Sequence, residues 1–478
     1  MSNLAQKSQA VSDPALLSLS DVAAQIRDRK VSSVEATQAL LSRIERWQPK
    51  LNAFVRIEAD EALQAAKAAD AELAKSGPKG SLHGVPMAHK DMYYFAGKPA
   101  GCGSKVREGF IATETSSAIK RLQDAGAIRI GALHMAEFAY GPTGHNAYLG
   151  PACNPWNHAC ITGGSSSGSG AAVAARLTYA ALGSDTGGSI RMPAHFCGVT
   201  GLKVSYGRVS RANALPLSFT LDTVGPLARS AEDCAVIAEL IYGADPLDPV
   251  TDNAPAWDKS ATQRPISSLT IGVPKSFYVD DLEADVAATL DATIKTFEKL
   301  GAKIVTVDLP DQTAVAAAAM IVLSVEATSL HAPWMRTRAQ DYTPQVRNRL
   351  ENGLAYSAVE YLEALRWRGP ALAAHLAAIG DVDVVVAPAS RAVAPKIVDT
   401  DAGGGPNADE LVVALMRFMR PINYLGVPVL VVPAGHSTAG LPIGLQLIGR
   451  PYGDETLIAL GSAFQQATGE HLRIPELQ

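Results

Sequence analysis

Serines and glycines gathered in two short clusters are the residues of this chain that could do chemistry. The clusters, Gly163–Gly170 and Gly183–Ser189, lie on either side of an alanine-rich run, Ala171–Leu182. Glycine at this density lets backbone N–H groups approach a ligand closely. Successive N–H groups of this kind bind an anion or a developing oxyanion. We therefore interpret the two clusters as parts of one site for an anion or oxyanion.

Other interpretations of the clusters are less consistent with their surroundings. A flexible linker is disfavoured because an apolar, alanine-rich segment interrupts it and the buried-looking Ile190–Pro193 follows it. A phosphate-binding loop requires a lysine after its glycines, and none is present. A nucleophile elbow, G-x-S-x-G, is matched by Gly164–Gly168 with Ser166 at its centre, but the preceding residues do not have the pattern of a core strand. That elbow would require a downstream histidine such as His436.

Composition narrows the class of protein. The 478 residues are 47% hydrophobic and 19% charged, which is typical of a globular protein with an ample core. The net charge of −5 gives no basic surface, so we expect no nucleic-acid partner. The N-terminal residues contain no apolar segment, and the longest uninterrupted apolar run, Ala314–Leu323, is about half the length of a spanning helix. We expect a cytoplasmic protein without a membrane partner. The scattered cysteines and histidines predict neither a metal site nor a cofactor.

Helices and short strands alternate along the chain and must position the clusters. The segment Gly84–Asp91 is a short apolar run that ends in charge, which predicts a strand with Lys90 at its C-terminal end. The run Ala171–Leu182 predicts a helix of about three turns between the clusters. This alternation favours an α/β fold with a mixed, twisted central sheet between helices.

We predict a single domain, residues 1–478. Its parts are N-terminal helices at 1–80, a core with both clusters at 81–235, a surface connection at 245–265, a helical insertion near the substrate cleft at 311–380, and a flexible flap with three consecutive glycines at 399–407.

Several segments together resemble one known family. The stretch GGSSSGSGAAVAA followed by GSDTGGSIRMPA resembles the defining stretch of the amidase signature family of serine hydrolases. GVPMAHKD resembles the lysine segment of that family. NPWN, GLKVSYGRVSR, LDTVGPLARS and LPIGLQLIGRPYGDETLIAL resemble its other blocks. The resemblance extends from about Gly84 to Ala467, apart from Asp311–Ile379, and implies the amidase signature fold.

The resemblance implies a Ser-cisSer-Lys triad on three residues of this chain. It assigns the acyl nucleophile to Ser189, the bridging serine with its cis peptide bond to Ser165, and the general base to Lys90. A lysine must be neutral to accept a proton, and since its usual pKa is about 10.4, burial must lower the pKa of Lys90. Ser165 would relay the proton between Lys90 and Ser189 without a histidine.

The backbone around the nucleophile has an implied role as well. The N–H groups of Thr186, Gly187, Gly188 and Ser189 would form the oxyanion hole, where the loss of one donor costs about 3 kcal/mol of transition-state stabilisation.

Other side chains are expected to support the triad. Asp185 and Arg191 resemble the structural polar pair of the family, and Ser166 is expected to hydrogen-bond Lys90. The chain departs from the usual pattern at Ser167, where the family has a glycine, and in GLKVS, where GLKPT is commoner. Neither departure falls on the three triad positions.

We predict a hydrolase that cleaves the C–N bond of a small carboxamide through an acyl-enzyme at Ser189. The resemblance extends the range of substrates to anilides, esters and carbamates (urethanes). The alternative is a glutamine-amidase subunit of a tRNA-dependent amidotransferase, which would need a partner subunit. A non-catalytic scaffold is disfavoured because all three triad positions are present. The sequence leaves the oligomeric state open, including a homodimer.

Substrate choice is expected to depend on the segments that resemble the family least, Asp311–Ile379 and Pro388–Gly405. Side chains there that could favour a hydrophobic acyl or aryl group are Trp334, Met335, Tyr342, Tyr356, Tyr361 and Trp367.

Overall fold

The structure is a computed structural model that describes residues 13–400 and 408–477. The predicted flap, 399–407, lies outside the described residues except for Asp399 and Thr400. The strands are β1 (Phe54–Ile57), β2 (Pro86–Lys90), β3 (Ile128–Leu133), β4 (Cys153–Asn154), β5 (Asn157–Ile161), β6 (Ala180–Asp185), β7 (Thr200–Lys203), β8 (Thr223–Ala228), β9 (Thr270–Pro274), β10 (Lys303–Val307), β11 (Val384–Pro388), β12 (Val429–His436) and β13 (Pro442–Gly449).

Helices connect these strands. They are α1 (Leu19–Arg27), α2 (Ser33–Leu51), α3 (Ala59–Ser76), α4 (Ser117–Asp124), α5 (Ser167–Ala174), α6 (Arg191–Cys197), α7 (Ala231–Ile241), α8 (Ala284–Lys299), α9 (Gln312–Arg338), α10 (Pro344–Asn352), α11 (Ala358–Ile379), α12 (Ile397–Thr400), α13 (Ala408–Met416), α14 (Arg420–Leu425) and α15 (Asp454–Thr468).

The large sheet is mixed, and helices cover both of its faces. Its strand order is β10-β9-β11-β13-β12-β7-β8-β6, with parallel pairing among the first three strands and antiparallel pairing in the rest. Successive side chains of β12 point to opposite faces of the sheet. Leu430 and Val432 lie beside Gly461 of α15 on one face, whereas Val431 lies beside Gly444 on the face that α6 covers. The predicted α/β fold class is confirmed.

A smaller sheet carries the predicted lysine strand. Its order is β1-β3-β2, and β2 pairs in parallel with β3. All five residues of β2 are buried, and the strand ends at Lys90, as predicted. The two sheets meet where the Leu182 N–H of β6 donates to His89 Nδ1 at 3.1 Å. The strand that ends at Lys90 and the strand that leads to the second glycine cluster therefore meet at the junction between the two sheets.

The predicted helix Ala171–Leu182 is wrong in its second half. Helix α5 ends at Ala174, Arg176 adopts a left-handed conformation with φ of 60°, and β6 begins at Ala180. Alanine favours a helix in isolation, but every residue of β6 is buried and pairs with β8. Tertiary pairing thus overrides local propensity here.

The segment 311–380, predicted as a helical insertion, contains helices α9, α10 and α11. Helix α9 is the one helix in the described residues that is long and apolar enough, by length and composition, to cross a membrane. Half of its apolar window is buried inside the protein. It also carries a buried carboxylate, Glu326, and a buried imidazole, His331. This burial is typical of a core helix, and the expectation that the chain has no membrane partner stays a prediction.

Candidate active site

Three segments bring the predicted triad residues to one place. Strand β2 supplies Lys90 from the small sheet, the loop before α5 supplies Ser165, and the loop between β6 and α6 supplies Ser189. Ser165 is fully buried, whereas Ser189 is 6% exposed and lines a cavity. The fold therefore places the nucleophile candidate, and not the bridging serine, where a substrate can reach it.

Lys90 is a buried amine held by two hydroxyl groups. Its Nζ lies 2.7 Å from Ser165 Oγ and 2.8 Å from Ser184 Oγ. Burial lowers the pKa of Lys90 to about 7, although the carboxylates of Asp222 and Asp185 oppose that shift. A lysine with this pKa is neutral in a large fraction of molecules near neutral pH, as a general base must be.

The loop that carries Ser165 has the conformation that the resemblance implies. The Gly164–Ser165 peptide bond is cis. The Ser165 carbonyl accepts from the Ala136 N–H at 3.1 Å, and the Ser166 N–H donates to the Ser189 carbonyl at 3.2 Å. The structure shows no hydrogen bond between the described hydroxyls of Ser165 and Ser189. The proton relay between them therefore stays a prediction.

The loop Thr186–Ser189 offers fewer oxyanion donors than predicted. The Gly188 N–H donates to Asp185 Oδ1 at 2.7 Å and is therefore engaged within the protein. Gly188 has a φ of +124°, and an added Cβ would lie 2.8 Å from Met419, so this position requires glycine. The N–H groups of Thr186, Gly187 and Ser189 have no acceptor among the described residues. These three remain the candidate oxyanion donors.

Asp185 and Arg191 form the predicted polar pair beneath this loop. Arg191 Nε and Nη2 each donate to the Asp185 carboxylate at 3.1 Å. Burial alone would raise the pKa of Asp185, but the adjacent guanidinium of Arg191 reverses the shift and holds it well below the usual range. Arg191 also donates to Gln446 Oε1 at 2.8 Å and to Asn423 Oδ1 at 2.6 Å. The pair thus ties the nucleophile loop to β13 and α14.

Ser184 is a functional candidate that the sequence analysis missed. We expected Ser166 to bond Lys90, but the Ser166 hydroxyl lies 3.3 Å from both the N–H and the carbonyl of Ser184. The Ser184 hydroxyl contacts Lys90 instead. The signal was present in the sequence, because the hydroxyl residue Ser184 stands between the apolar run Ala180–Gly183 and Asp185.

Asp222 is a second residue that sequence reasoning did not single out. Its Oδ1 accepts from Thr186 Oγ1 at 2.5 Å, and its Oδ2 accepts from the Leu217 N–H at 2.8 Å. Burial raises the pKa of Asp222, although these hydrogen bonds oppose the shift. This aspartate lies in the block LDTVGPLARS, which resembles the amidase signature family.

The departure at Ser167 is accommodated by a histidine. Ser167 Oγ lies 3.0 Å from His134 Nδ1, and His134 Nε2 lies 2.9 Å from the Gly150 carbonyl. If Nε2 carries the proton, Nδ1 accepts from the serine and both ring nitrogens are satisfied. The additional side chain is therefore bonded within the fold, two residues after Ser165.

The nucleophile-elbow interpretation is not supported by the geometry. Ser166 is fully buried and bonded to the backbone of Ser184. His436 lies at the end of β12, where its Nδ1 is 3.2 Å from Glu470 Oε2. An elbow serine must present its hydroxyl to the substrate beside a histidine, and neither condition is met.

The cavity at Ser189 has a volume of about 510 Å³ and mostly apolar walls. Helices α9 to α11 and α13 enclose it. The apolar lining residues include Leu217, Met320, Leu323, Val412, Val413 and Met416. Of the five aromatic residues proposed above to select substrate, Tyr356 lines this cavity. Trp334 and Tyr342 pack against Phe138, Trp367 packs against Tyr424, and the Tyr361 hydroxyl is bonded to the buried Glu326. Most of those aromatic residues therefore serve packing.

The chain is similar to a known protein family and to individual proteins of that kind. The Amidase family pattern matches residues 35–458. A glutamyl-tRNA(Gln) amidotransferase subunit from Geobacter metallireducens is 38% identical, with 95% of this chain and 98% of that protein covered. The native peptide amidase of Stenotrophomonas maltophilia superposes with a TM-score of 0.82 at 30% identity, with 96% and 98% of the two chains covered.

A third similar structure comes from a vestigial protein complex that reveals the evolutionary origins of an s-triazine catabolic enzyme. It has a TM-score of 0.87 at 32% identity and covers 97% of this chain and 100% of its own. The family match extends over most of the chain and includes the lysine segment, both serine clusters and the helical insertion. This chain therefore belongs to the amidase signature family and is an amidase-family hydrolase.

Proposed function

We propose that this protein hydrolyses carboxamide C–N bonds through an acyl-enzyme on Ser189. The observation that carries the proposal is the buried Lys90 amine, 2.7 Å from Ser165 Oγ, with its pKa lowered to about 7 by burial. An amine of this kind can accept a proton near neutral pH. Ser165 bonds the lysine, and the next residue, Ser166, donates its N–H to the Ser189 carbonyl.

Ser189, Ser165 and Lys90 together can carry out the proton transfers of the acylation step. Ser189 Oγ attacks the carbonyl carbon while its proton passes to Ser165, whose own hydroxyl proton passes to Lys90. The C–N bond then breaks, and the amine leaves with the proton that Lys90 returns through Ser165. Water attacks the ester in the same way, which releases the carboxylic acid and restores Ser189. Carbamates, anilides and esters could enter the same route with other leaving groups.

Charge on the carbonyl oxygen would be stabilised by the backbone. The N–H groups of Thr186, Gly187 and Ser189 are the candidate donors, because the Gly188 N–H is bonded to Asp185. Each such donor contributes about 3 kcal/mol to transition-state stabilisation.

Two roles are compatible with this chemistry, a stand-alone amidase and a glutamine-amidase subunit, and a different observation favours each. The apolar walls of the cavity favour a stand-alone amidase whose substrate carries a hydrophobic group. The similarity to a peptide amidase at 30% identity is consistent with that role.

The second candidate is the glutamine-amidase subunit of a tRNA-dependent amidotransferase. The curated relatives favour it more directly than they favour a stand-alone amidase, since those at 38% identity are subunits of a glutamyl-tRNA(Gln) amidotransferase. This role would bring a tRNA and a partner subunit to the protein. It stands against the expectation, drawn from net charge alone, that no nucleic acid is involved.

A substrate panel tests the shared chemistry and separates the two roles. The purified protein would be assayed with an aliphatic amide, an acyl anilide, a 4-nitrophenyl ester, an aryl carbamate and glutamine, beside Ser189→Ala and Lys90→Ala. Turnover that both substitutions abolish supports the proposal, and turnover that survives Ser189→Ala contradicts it. Hydrolysis of glutamine alone would favour the amidotransferase role, and a preference for apolar amides would favour the stand-alone role.

A further inference from the structure

A buried carboxylate in the helical insertion is bonded to the wall of the active site. Glu326 lies in the middle of α9 and is 1% exposed. Its Oε2 accepts from Ser218 Oγ at 2.6 Å and from the Thr220 N–H at 3.0 Å. Its Oε1 accepts from Thr220 Oγ1 at 2.7 Å and from the Tyr361 hydroxyl at 3.0 Å. Four donors thus satisfy one buried carboxylate, and three of them belong to the segment 217–222.

The same segment is bonded to the nucleophile loop through Asp222. Asp222 Oδ2 accepts from the N–H groups of Leu217 and Ser218 at 2.8 and 3.1 Å. Its Oδ1 accepts from Thr186 Oγ1 at 2.5 Å. Ser218 therefore bonds Glu326 with its hydroxyl and Asp222 with its backbone. Leu217 and Thr186 both line the cavity at Ser189.

We propose that Glu326 is a positioning residue for catalysis: through Ser218 and Asp222 it fixes Thr186, a candidate oxyanion donor. The inference rests on the proposed function, because it concerns the donors that serve the acyl-enzyme chemistry. An oxyanion donor acts only when it is held in place before the reaction. None of the hydrogen bonds of Glu326 is to Ser189 or Lys90, so its effect on rate must pass through the segment 217–222.

Two substitutions at Glu326 separate positioning from packing. Glu326→Ala removes the acceptors for all four donors. Glu326→Gln keeps one carbonyl oxygen for the Thr220 N–H and Ser218, and its amide N–H₂ can donate to the hydroxyls of Thr220 and Tyr361 once these rotate. Tyr361→Phe is the matched control, since it removes only the bond from α11 and leaves the segment 217–222 bonded.

We expect Glu326→Ala to lower kcat about tenfold or more, with KM changed less than about threefold, because the lost interaction acts in the transition state. Glu326→Gln and Tyr361→Phe should stay within about threefold of the wild-type kcat. The active fraction of each protein would be counted by burst titration with a 4-nitrophenyl ester, so that partial unfolding does not appear as a lower kcat.

Hydrogen exchange supplies a measurement that does not depend on turnover. In Glu326→Ala, peptides covering 183–190 and 217–223 should both exchange faster than in the wild type, whereas a peptide covering 441–449 should not change. Faster exchange confined to 217–223 would overturn the inference, because the effect would stop before Thr186.

The outcomes also separate this inference from the proposed function. If Ser189→Ala retains wild-type turnover, the proposed function fails. If turnover depends on Ser189 but Glu326→Ala keeps the wild-type kcat per active site, the positioning role is overturned and the proposed function stands. A double substitution with Asp222→Asn adds a check, since residues acting along one path should give a combined loss close to the larger single loss.

Discussion

Two lysines in the part of the chain that the structure describes are buried, and their hydrogen-bond partners differ. Lys90 and Lys203 are both almost fully buried, and burial lowers the pKa of each to about 7. Lys90 Nζ lies between two hydroxyls, whereas Lys203 Nζ donates to the backbone carbonyls of Val204 and Val427 at 2.9 and 2.8 Å.

The partners decide which lysine can do proton chemistry. A hydroxyl both donates and accepts, so a neutral Lys90 can receive a proton from Ser165 without losing the hydrogen bond. A carbonyl only accepts, so Lys203 has no proton donor among its bonded partners. Both lysines therefore have a lowered pKa. Lys90 can act as the general base because its partners are hydroxyls and because Ser165 provides the proposed path to Ser189.

The largest expected effect on kcat distinguishes Lys90 from Lys203. Lys90→Met should lower kcat about 10⁴-fold, because the base is lost. Lys203→Met should leave kcat per active site within about threefold and destabilise the fold by about 2 kcal/mol, since two buried carbonyls lose their donor. Kinetics and urea unfolding would measure both. An equal loss of kcat in both variants would contradict the distinction.

The pH dependence of activity sharpens the same comparison. The folded protein holds the pKa of Lys90 at about 7, below the usual lysine value, so the amine is neutral above that pH and protonated below it. We expect kcat/KM to rise with pH through a midpoint near 7 and then level off. A rate that falls as pH increases from 6 to 8 would argue against Lys90 as the base.

Ser184 should have a smaller effect. Ser184→Ala removes one of the two hydroxyls at Lys90 Nζ, and we expect kcat to fall about tenfold, the value of one hydrogen bond in a buried site. Ser166→Ala is the matched control, because Ser166 adjoins Ser165 but bonds the backbone of Ser184. A larger loss from Ser166→Ala than from Ser184→Ala would reverse this assignment.

The smallest expected effect concerns Ser167. Ser167→Gly removes the hydroxyl that contacts His134. The triad positions are unaffected, so kcat should change less than about threefold, while unfolding free energy falls by about 1 kcal/mol. Thermal unfolding and steady-state kinetics would check this. A loss of kcat comparable to that of Ser184→Ala would show that the His134 contact positions Ser165.

Much of the fold was predictable because local patterns and tertiary structure agree. The strand that ends at Lys90 and the helices of the segment 311–380 have clear patterns in the sequence. Residues 180–182 were mispredicted as helix because an alanine-rich buried strand and a buried helix can have the same composition.

The site residues that belong to a sequence motif were predictable, whereas the tertiary contacts between distant side chains were not. Lys90, Ser165 and Ser189 follow from the resemblance. The bond from Gly188 to Asp185, the contact between Ser184 and Lys90, and the link from Glu326 to Thr186 depend on long-range packing. No spacing in the sequence indicates that residues 326 and 218 are neighbours.

The most direct test of Ser189 as the nucleophile is to locate the acyl group. The protein would be quenched during turnover of a 4-nitrophenyl ester, digested with trypsin and analysed by mass spectrometry. Ser189 falls in the tryptic peptide 177–191, whereas Ser165 and Ser166 fall in 130–176. We expect an acyl group on Ser189 that is absent from Ser189→Ala. An acyl group on Ser165 or Ser166 during productive turnover would contradict it.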